Sequence, residues 1–136
     1  MNRHFLVGAP LLMLAAAVAF NGVTPAQILT PSANAAPAPQ KPVAFAQCAV
    51  CHKVDKSGTN GIGPNLFGVY NAKAGAKAGF NFSPAMKKWG KKLDDATLYA
   101  FLENPRKSVP GTKMAYAGLR DAAKRKAIID WLKTQK

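Results

Sequence analysis

The stretch CAVCH, residues 48–52, constrains the fold more than any other part of the chain. It contains the only two cysteines and one of the two histidines among 136 residues. Cys48 and Cys51 are three positions apart, and His52 follows directly. Such a group can hold a haem, a structural zinc ion or a redox-active disulfide. Each of these three would require a different fold around it.

The haem interpretation explains all five positions. In the Cys-x-x-Cys-His pattern, the two thiols add to the two vinyl groups of a haem and the histidine offers its imidazole to the iron. A structural zinc ion needs four ligands, usually from a second pair downstream, and His52 is the last histidine of the sequence. A redox-active disulfide of the thioredoxin type needs a strand and helix unit. The sequence has no alternating apolar pattern that would predict strands.

The remaining pattern predicts short helices separated by loops. A helical stretch begins after Pro42 with VAFAQCAVCHKV, which places CAVCH at the carboxyl end of a helix. Residues 57–90 are rich in glycine and proline and predict mostly loop, with one short helix that Ser83 and Pro84 begin. A longer helix is predicted over ATLYAFL, capped by Asp94 and ended by Asn104-Pro105. The last helix runs from about residue 121 to residue 134, with Ile128, Trp131 and Leu132 at helical spacing on its buried face and Lys124, Arg125 and Lys126 on its exposed side.

These helices do not provide a sufficient core by themselves. About 100 residues, roughly a third of them in loops, bury too little apolar surface to offset the conformational entropy of the chain. A haem supplies a large, flat, apolar body around which short helices can pack. The sequence therefore predicts an all-α fold of short helices and loops wrapped around one covalently attached haem.

The amino-terminal residues differ in character from the rest. A basic start is followed by an apolar run over residues 5–20, and Ala33-Asn34-Ala35 is a small-x-small pattern of the kind that a signal peptidase cleaves. We expect residues 1–35 to be an export signal, 36–42 a linker rich in proline and alanine, and 43–136 one domain. The expected location is the periplasm. The alternative is that the apolar run is retained and anchors the domain to the periplasmic face of the inner membrane.

The second axial ligand of the iron has few candidates. Once residues 1–35 are removed, His52 is the only histidine, and Met86 and Met114 are the only methionines. Met114 is favoured because Pro110 and Gly111 make a stiff, irregular loop before it. Met86, a lysine or no ligand at all remain the alternatives. Ligation by histidine and methionine raises the reduction potential, and filling both axial positions predicts an electron carrier and not an enzyme.

Four segments in a fixed order give the chain a family resemblance. CAVCHKVDK, GPNLFGVY, LENPRKSVPGTKMAYAG and IIDWLK together resemble class I cytochromes c of the mitochondrial and bacterial cytochrome c2 type, and the match extends from residue 45 to residue 133. The resemblance implies that the first and last helices cross, that two cysteines form thioethers, and that a histidine and a methionine ligate the iron. The residues at those positions are Cys48, Cys51, His52 and Met114.

The resemblance also implies further contacts with the haem. Pro64 offers its backbone carbonyl to the proximal imidazole, which fixes the orientation of the ring. Thr112 resembles a threonine that lies near a buried propionate. Leu66, in GPNL, and Phe101 occupy matching positions that contact the haem.

Several positions depart from the mitochondrial pattern. Ala72, Phe82 and Leu93 stand where those relatives carry an arginine, a tyrosine and a tryptophan that hold the buried propionate. Trp89 is a candidate substitute through its indole N–H. Phe101 stands where a tyrosine hydrogen-bonds to the ligand sulfur. The first helix also lacks the glycine at which the terminal helices cross, so Phe45 is predicted to contact Trp131 or Leu132 there.

The charge of the chain predicts its partners. The formal net charge is +13, and such a charge steers association with acidic surfaces. The lysines that flank the predicted haem segments are Lys53, Lys56, Lys73, Lys77, Lys87, Lys88, Lys91, Lys92, Lys107 and Lys113. Nucleic acid is a less suitable acidic partner, because the sequence contains no recognised binding module.

The family resemblance implies a monomeric carrier with no small-molecule substrate. Its partners would be acidic docking surfaces of membrane redox complexes, with a cytochrome bc1-type donor and an oxidase or photosynthetic reaction centre as acceptor. Three alternatives remain: a membrane-anchored electron-transfer subunit of a dehydrogenase, a haem peroxidase with a labile sixth ligand, and a thiol oxidoreductase.

Overall fold

The computed structural model describes residues 38–136, so the predicted export signal lies outside the described residues. Within this range the chain forms a 3₁₀ turn and five α-helices. The elements are the turn Val43–Phe45, α1 (Ala46–Ala49), α2 (Pro84–Trp89), α3 (Asp95–Glu103), α4 (Pro105–Ser108) and α5 (Ala122–Lys133). Residues 38–136 contain no β-strand, only an isolated antiparallel bridge between Lys73 and Lys92. The predicted all-α class is confirmed.

Polar side chains fix where four of the helices begin. Ser83, Asp94, Asn104 and Asp121 each accept a hydrogen bond from the backbone N–H three residues further on. Such a cap satisfies one of the amide groups that the first turn of a helix leaves without a partner. The predicted starts at Ser83, Asp94 and Asp121 are therefore confirmed.

The first helix is shorter than the sequence predicts. It ends at Ala49 and does not continue to residue 54. Beyond it the backbone pairs with a loop: Gly63 donates to the carbonyl of Cys51 at 2.9 Å, and Leu66 donates to the carbonyl of Lys53 at 2.8 Å. The carbonyls of Cys51 and Lys53 are thus paired with the loop over residues 63–66 and not with a continuing helix.

The short helix α4 was not predicted. The sequence Asn104-Pro105 was interpreted only as the end of α3. Asn104 does end α3, but its side chain also accepts from the backbone N–H of Lys107 and begins a new helix. Proline suits the first helical position, because its fixed φ is helical and its missing N–H is not needed there.

The main apolar cluster lies where α3, α5 and the amino-terminal turn meet. Its buried members are Phe45, Leu98, Leu102, Ile128, Ile129, Trp131 and Leu132. The rings of Phe45 and Trp131 have centroids 4.6 Å apart, at an interplanar angle of 59°. The predicted contact of Phe45 with the last helix is thus confirmed, and Trp131 is its aromatic partner.

A buried asparagine organises the glycine-rich loop that precedes α2. Asn65 has no exposed surface. Its side-chain amide donates to the carbonyls of Asp55 and Thr59, and its side-chain oxygen accepts from the N–H of Phe67. Its backbone N–H donates to the side chain of Asn60. The Asn65 side chain therefore pairs backbone groups of this loop that would otherwise be paired within a strand or a helix.

We expect Phe45→Ala to lower the free energy of unfolding by about 3–5 kcal/mol, because it leaves a cavity against Trp131. Denaturation in urea, followed by far-ultraviolet circular dichroism, measures this loss. Val43→Ala is the matched control two residues away, since Val43 is 93% exposed, and should change stability by less than about 0.5 kcal/mol. Equal effects of the two substitutions would show that the aromatic contact does not hold the turn to α5.

Candidate functional site

One large cavity opens beside the apolar cluster. Its volume is about 910 Å³, near the upper end of the roughly 300–1,000 Å³ range of ligand sites. Most of its lining is apolar. Every site residue predicted from the sequence lines this cavity: Cys48, Cys51, His52, Pro64, Leu66, Phe101, Thr112 and Met114.

The two cysteines are free thiols in the cavity wall. The end of α1 places them there, because the backbone N–H groups of Cys51 and His52 both donate to the carbonyl of Cys48. Burial, and the nearby Cys51, raise the pKa of the Cys48 thiol. A nucleophilic redox cysteine requires the opposite shift. Cys48 is accordingly a neutral thiol within an apolar wall.

The His52 imidazole is held in one tautomer. Nδ1 lies 2.8 Å from the carbonyl oxygen of Pro64. Because a carbonyl only accepts, Nδ1 carries the proton and Nε2 keeps its lone pair. Burial lowers the pKa of His52, and the bond to Pro64 opposes that shift in part. The ring is therefore neutral, which is the form that binds a metal.

Two glycines allow the loop before Pro64 to lie against the imidazole and the CAVCH backbone. A Cβ atom on Gly63 would lie 2.5 Å from Cε1 and 2.7 Å from Nδ1 of His52. A Cβ atom on Gly61 would lie 2.7 Å from the carbonyl oxygen of Cys51. Sequence reasoning treated both only as loop glycines, because no local pattern shows which side chain they approach.

The loop that carries Met114 is built on a turn. Thr112 donates its backbone N–H to the carbonyl of Val109 at 3.0 Å. The hydroxyl oxygen of Thr112 accepts from the backbone N–H of Met114 at 3.2 Å. Gly111, with φ of 88°, takes the left-handed conformation that the turn requires. Met86, the alternative ligand, lines the same cavity from α2.

The positions that depart from the mitochondrial pattern also lie in the cavity wall. Ala72, Phe82 and Leu93 line the cavity, as does Trp89. Trp89 packs on Phe101, with ring centroids 5.5 Å apart. The indole that was suggested as a substitute donor is thus at the cavity surface.

Sequence reasoning missed Tyr116 as a cavity residue. It lines the cavity two positions after Met114. Burial raises the pKa of its phenol, and Cys48 adds to that shift. The short run AYAG has no helical or strand period, so the sequence contained no signal of the direction of this side chain.

Lysines border the cavity at its mouth. Lys77 donates from Nζ to the carbonyl of Phe67 at 2.9 Å, and Lys113 donates to the carbonyl of Asn81 at 3.3 Å. Both line the cavity, together with Lys73. Two aliphatic side chains of the cavity lining are largely exposed: Val50, within CAVCH, at 73% and Ile62 at 79%. The mouth therefore combines cationic and apolar surface.

The residues present fit a haem c. The cavity is large and mainly apolar, as a porphyrin requires, and its wall contains two thiols, one imidazole with a free lone pair and two thioethers. Among residues 38–136 no helix is long and apolar enough to cross a bilayer.

Known proteins share much of this sequence. The cytochrome c of Gibberella zeae is 46% identical over 87 residues, which are 64% of this chain and 82% of that protein. The cytochrome c2 iso-2 of Magnetospirillum molischianum is 45% identical over 95 residues, 70% of this chain and 97% of that protein. The solved structure of cytochrome cH from Methylobacterium extorquens has 49% sequence identity and a TM-score of 0.63, and the match covers 67% of this chain and 91% of that one. No family model matches the chain.

These relatives match over most of their own length at nearly half of the aligned positions, and the matched solved structure shares the helical fold. The donor set in the cavity agrees with the same chemistry. The chain belongs to the class I cytochrome c family and is an electron carrier with one covalently attached haem c.

Proposed function

We propose that Cys48 and Cys51 hold the haem through thioether bonds, that His52 and Met114 are the axial ligands, and that the protein carries electrons between membrane redox complexes in the periplasm. The observation that supports this most strongly is that all four side chains line one apolar cavity of about 910 Å³. A bound haem c supplies a one-electron Fe(III)/Fe(II) couple there.

The two thiols attach the group without a change of oxidation state. Cys48 and Cys51 would hold the group by adding each S–H across one vinyl C=C bond, with the sulfur on one carbon and the proton on the other. Burial, together with Cys51, raises the pKa of the Cys48 thiol, which favours its protonated form in the free cavity. His52 presents Nε2, while Pro64 holds the proton on Nδ1 and so orients the ring and strengthens it as a donor.

The rest of the wall controls the potential and excludes water. Leu66 and Phe101 are apolar, and an apolar surrounding with two neutral ligands disfavours the extra positive charge of Fe(III), which raises the reduction potential. Thr112 positions Met114 by accepting its backbone N–H. The hydroxyl proton of Thr112 is then free to donate to a haem carboxylate.

The surface around the mouth favours acidic partners. Lys73 and Lys113 are exposed cations in the cavity lining, and Val50, within CAVCH, and Ile62 add exposed apolar area. Opposite charge brings two proteins together quickly, and a small contact lets them separate again. We propose a bc1-type donor and an oxidase or reaction-centre acceptor, with removal of residues 1–35 releasing the carrier as a monomer.

Removing both thiols tests the covalent attachment of the haem. Cys48→Ser combined with Cys51→Ser should give a protein with little native helix, because the cavity then lacks the body that α2, α3 and the loops pack against. Far-ultraviolet circular dichroism of the exported protein measures this. Each single serine variant is the control and should keep one thioether and partial structure. A native helical spectrum in the double variant would contradict the haem as core.

The second prediction separates the two methionines of the cavity. Met114→Ala should lower the reduction potential and open the iron to external ligands, because the thioether that favours Fe(II) is lost. Met86→Ala removes a thioether from the same cavity and should leave the potential and the red charge-transfer band of the ferric protein nearly unchanged. If Met86→Ala is the variant that loses the band, the axial assignment is wrong.

The third prediction concerns the docking face. Oxidation of the reduced protein by ferricyanide should slow at least about tenfold as ionic strength rises from about 0.01 M to 1 M, since screening shortens the Debye length. At low ionic strength Lys73→Gln should slow the reaction more than Lys126→Gln. Both substitutions remove one charge, but Lys126 lies on α5 and pairs with Asp130 at 2.5 Å. Equal slowing would show that only net charge matters.

A further inference from the structure

Residues 115–118, the segment that follows Met114, make few hydrogen bonds to the rest of the protein. Within the described residues, no backbone hydrogen bond joins residues 115–118 to the rest of the chain. Before this segment, the turn over residues 109–112 and the Thr112 hydroxyl hold the chain. The position of Met114 therefore depends on the contacts that hold the chain before residue 115 and after residue 118.

At the carboxyl end of this segment, the backbone is hydrogen-bonded to α3. Leu119 donates its backbone N–H to the carbonyl of Leu102 at 2.8 Å. Gly118 has φ of 104°, and a Cβ atom there would overlap the carbonyl of Glu103. The chain at Gly118 thus lies directly on the carboxyl end of α3, where only a glycine fits.

The same end is fastened to α5 by one side chain. Arg125 donates from Nη1 to the carbonyls of both Leu119 and Arg120, at 2.6 and 2.8 Å. Its Nη2 lies 3.5 Å from Oε1 of Glu103, and its guanidinium stacks on the ring of Tyr99 at 4.2 Å. Arg125 on α5 therefore contacts Tyr99 and Glu103 of α3. It also contacts the carbonyls of Leu119 and Arg120, which directly follow residues 115–118.

This arginine is costly to bury. It is 3% exposed, and its Nε has no hydrogen-bond partner within the described residues. A buried cation with incomplete pairing destabilises a fold relative to a packed apolar side chain. Because Glu103 is half exposed, the ion pair offsets only part of that cost. Arginine contacts both carbonyls through Nη1 and the Glu103 carboxylate through Nη2 while its plane stacks on Tyr99, a combination that the single ammonium group of lysine does not provide.

We infer that Arg125 is a positioning residue for the sixth ligand: together with Gly118 it fastens the segment behind Met114 to α3 and α5, and so keeps the thioether on the iron. This rests on the proposed function, in which Met114 is the axial ligand. Arg125 itself does not line the cavity and acts through the backbone of residues 118–120. Loosening that backbone raises the fraction of molecules in which Met114 is detached.

The test uses the full holoprotein and three variants. Arg125→Lys keeps the charge but loses the fork, Gly118→Ala keeps Arg125 but displaces the backbone, and Lys126→Gln is the matched control from the next position of α5. The rate at which cyanide binds the ferric protein measures detachment of Met114. Hydrogen exchange of the Leu119 amide, followed by nuclear magnetic resonance of the reduced protein, measures the fastening without reference to the iron.

We expect Arg125→Lys and Gly118→Ala each to speed cyanide binding and Leu119 exchange about tenfold or more, since each removes interactions equivalent to at least one hydrogen bond to a charged group or a close backbone contact. Lys126→Gln should change neither rate by more than about twofold. The red charge-transfer band should also be lost at lower temperature in the first two variants. Where either fails to fold, Glu103→Gln, which removes only the pairing carboxylate, should give a smaller change in the same direction.

Two failures are distinguishable. A wild-type protein without the red band would show that Met114 is not the ligand and would overturn the proposed ligation itself. A wild-type protein with the band, in which Arg125→Lys and Gly118→Ala leave cyanide binding unchanged, would overturn the inference and leave the ligation intact. Faster Leu119 exchange with unchanged cyanide binding would also overturn it, because the fastening would then be structural only.

Discussion

The structure depends on filling one apolar cavity that the side chains leave open. Three of the five helices within residues 38–136, α1, α2 and α4, have only four to six residues, too few to be stable without tertiary contacts. The buried apolar cluster forms where α3, α5 and Phe45 meet, while the remaining loops line a cavity of about 910 Å³. A covalently held haem completes this core, and it accounts for a fold in which much of the chain is neither helix nor strand.

The interior of the cavity is apolar and neutral, whereas the surface of the protein is cationic. Inside, burial raises the pKa of the free Cys48 thiol and lowers that of His52, so it favours the neutral form of both, and the other proposed ligand is an uncharged thioether. Outside, the chain has a formal net charge of +13, with lysines beside the mouth. A neutral interior favours the reduced iron, and a cationic exterior speeds encounter with acidic partners. Both properties suit a carrier that is loaded and unloaded at different complexes.

The sequence predicted those features that depend on local spacing. The CAVCH pattern indicated the cofactor, the side chains of Ser83, Asp94 and Asp121 indicated helix starts, and the apolar period of the last helix indicated its buried face. Features that arise from contacts between distant segments were not predictable in this way. The loop around Asn65 buries that residue through contacts with Asp55 and Thr59. The prediction that Arg125 lies on the exposed side of the last helix is wrong, because α3 and the carbonyls of Leu119 and Arg120 bury it. The early end of α1 has the same cause, because it follows from pairing between Cys51 and Gly63, twelve residues apart.

The central claim is that CAVCH holds one haem with methionine as its second axial ligand. An optical spectrum of the exported protein, oxidised and reduced, run beside a denaturing gel stained for covalent haem, tests it most directly. We expect a haem stain at the position of the protein, a sharp α band on reduction and the weak red charge-transfer band of methionine-ligated ferric iron. Stain without the red band would contradict the axial ligation, and a protein with two titratable thiols and no stain would contradict the covalent haem itself.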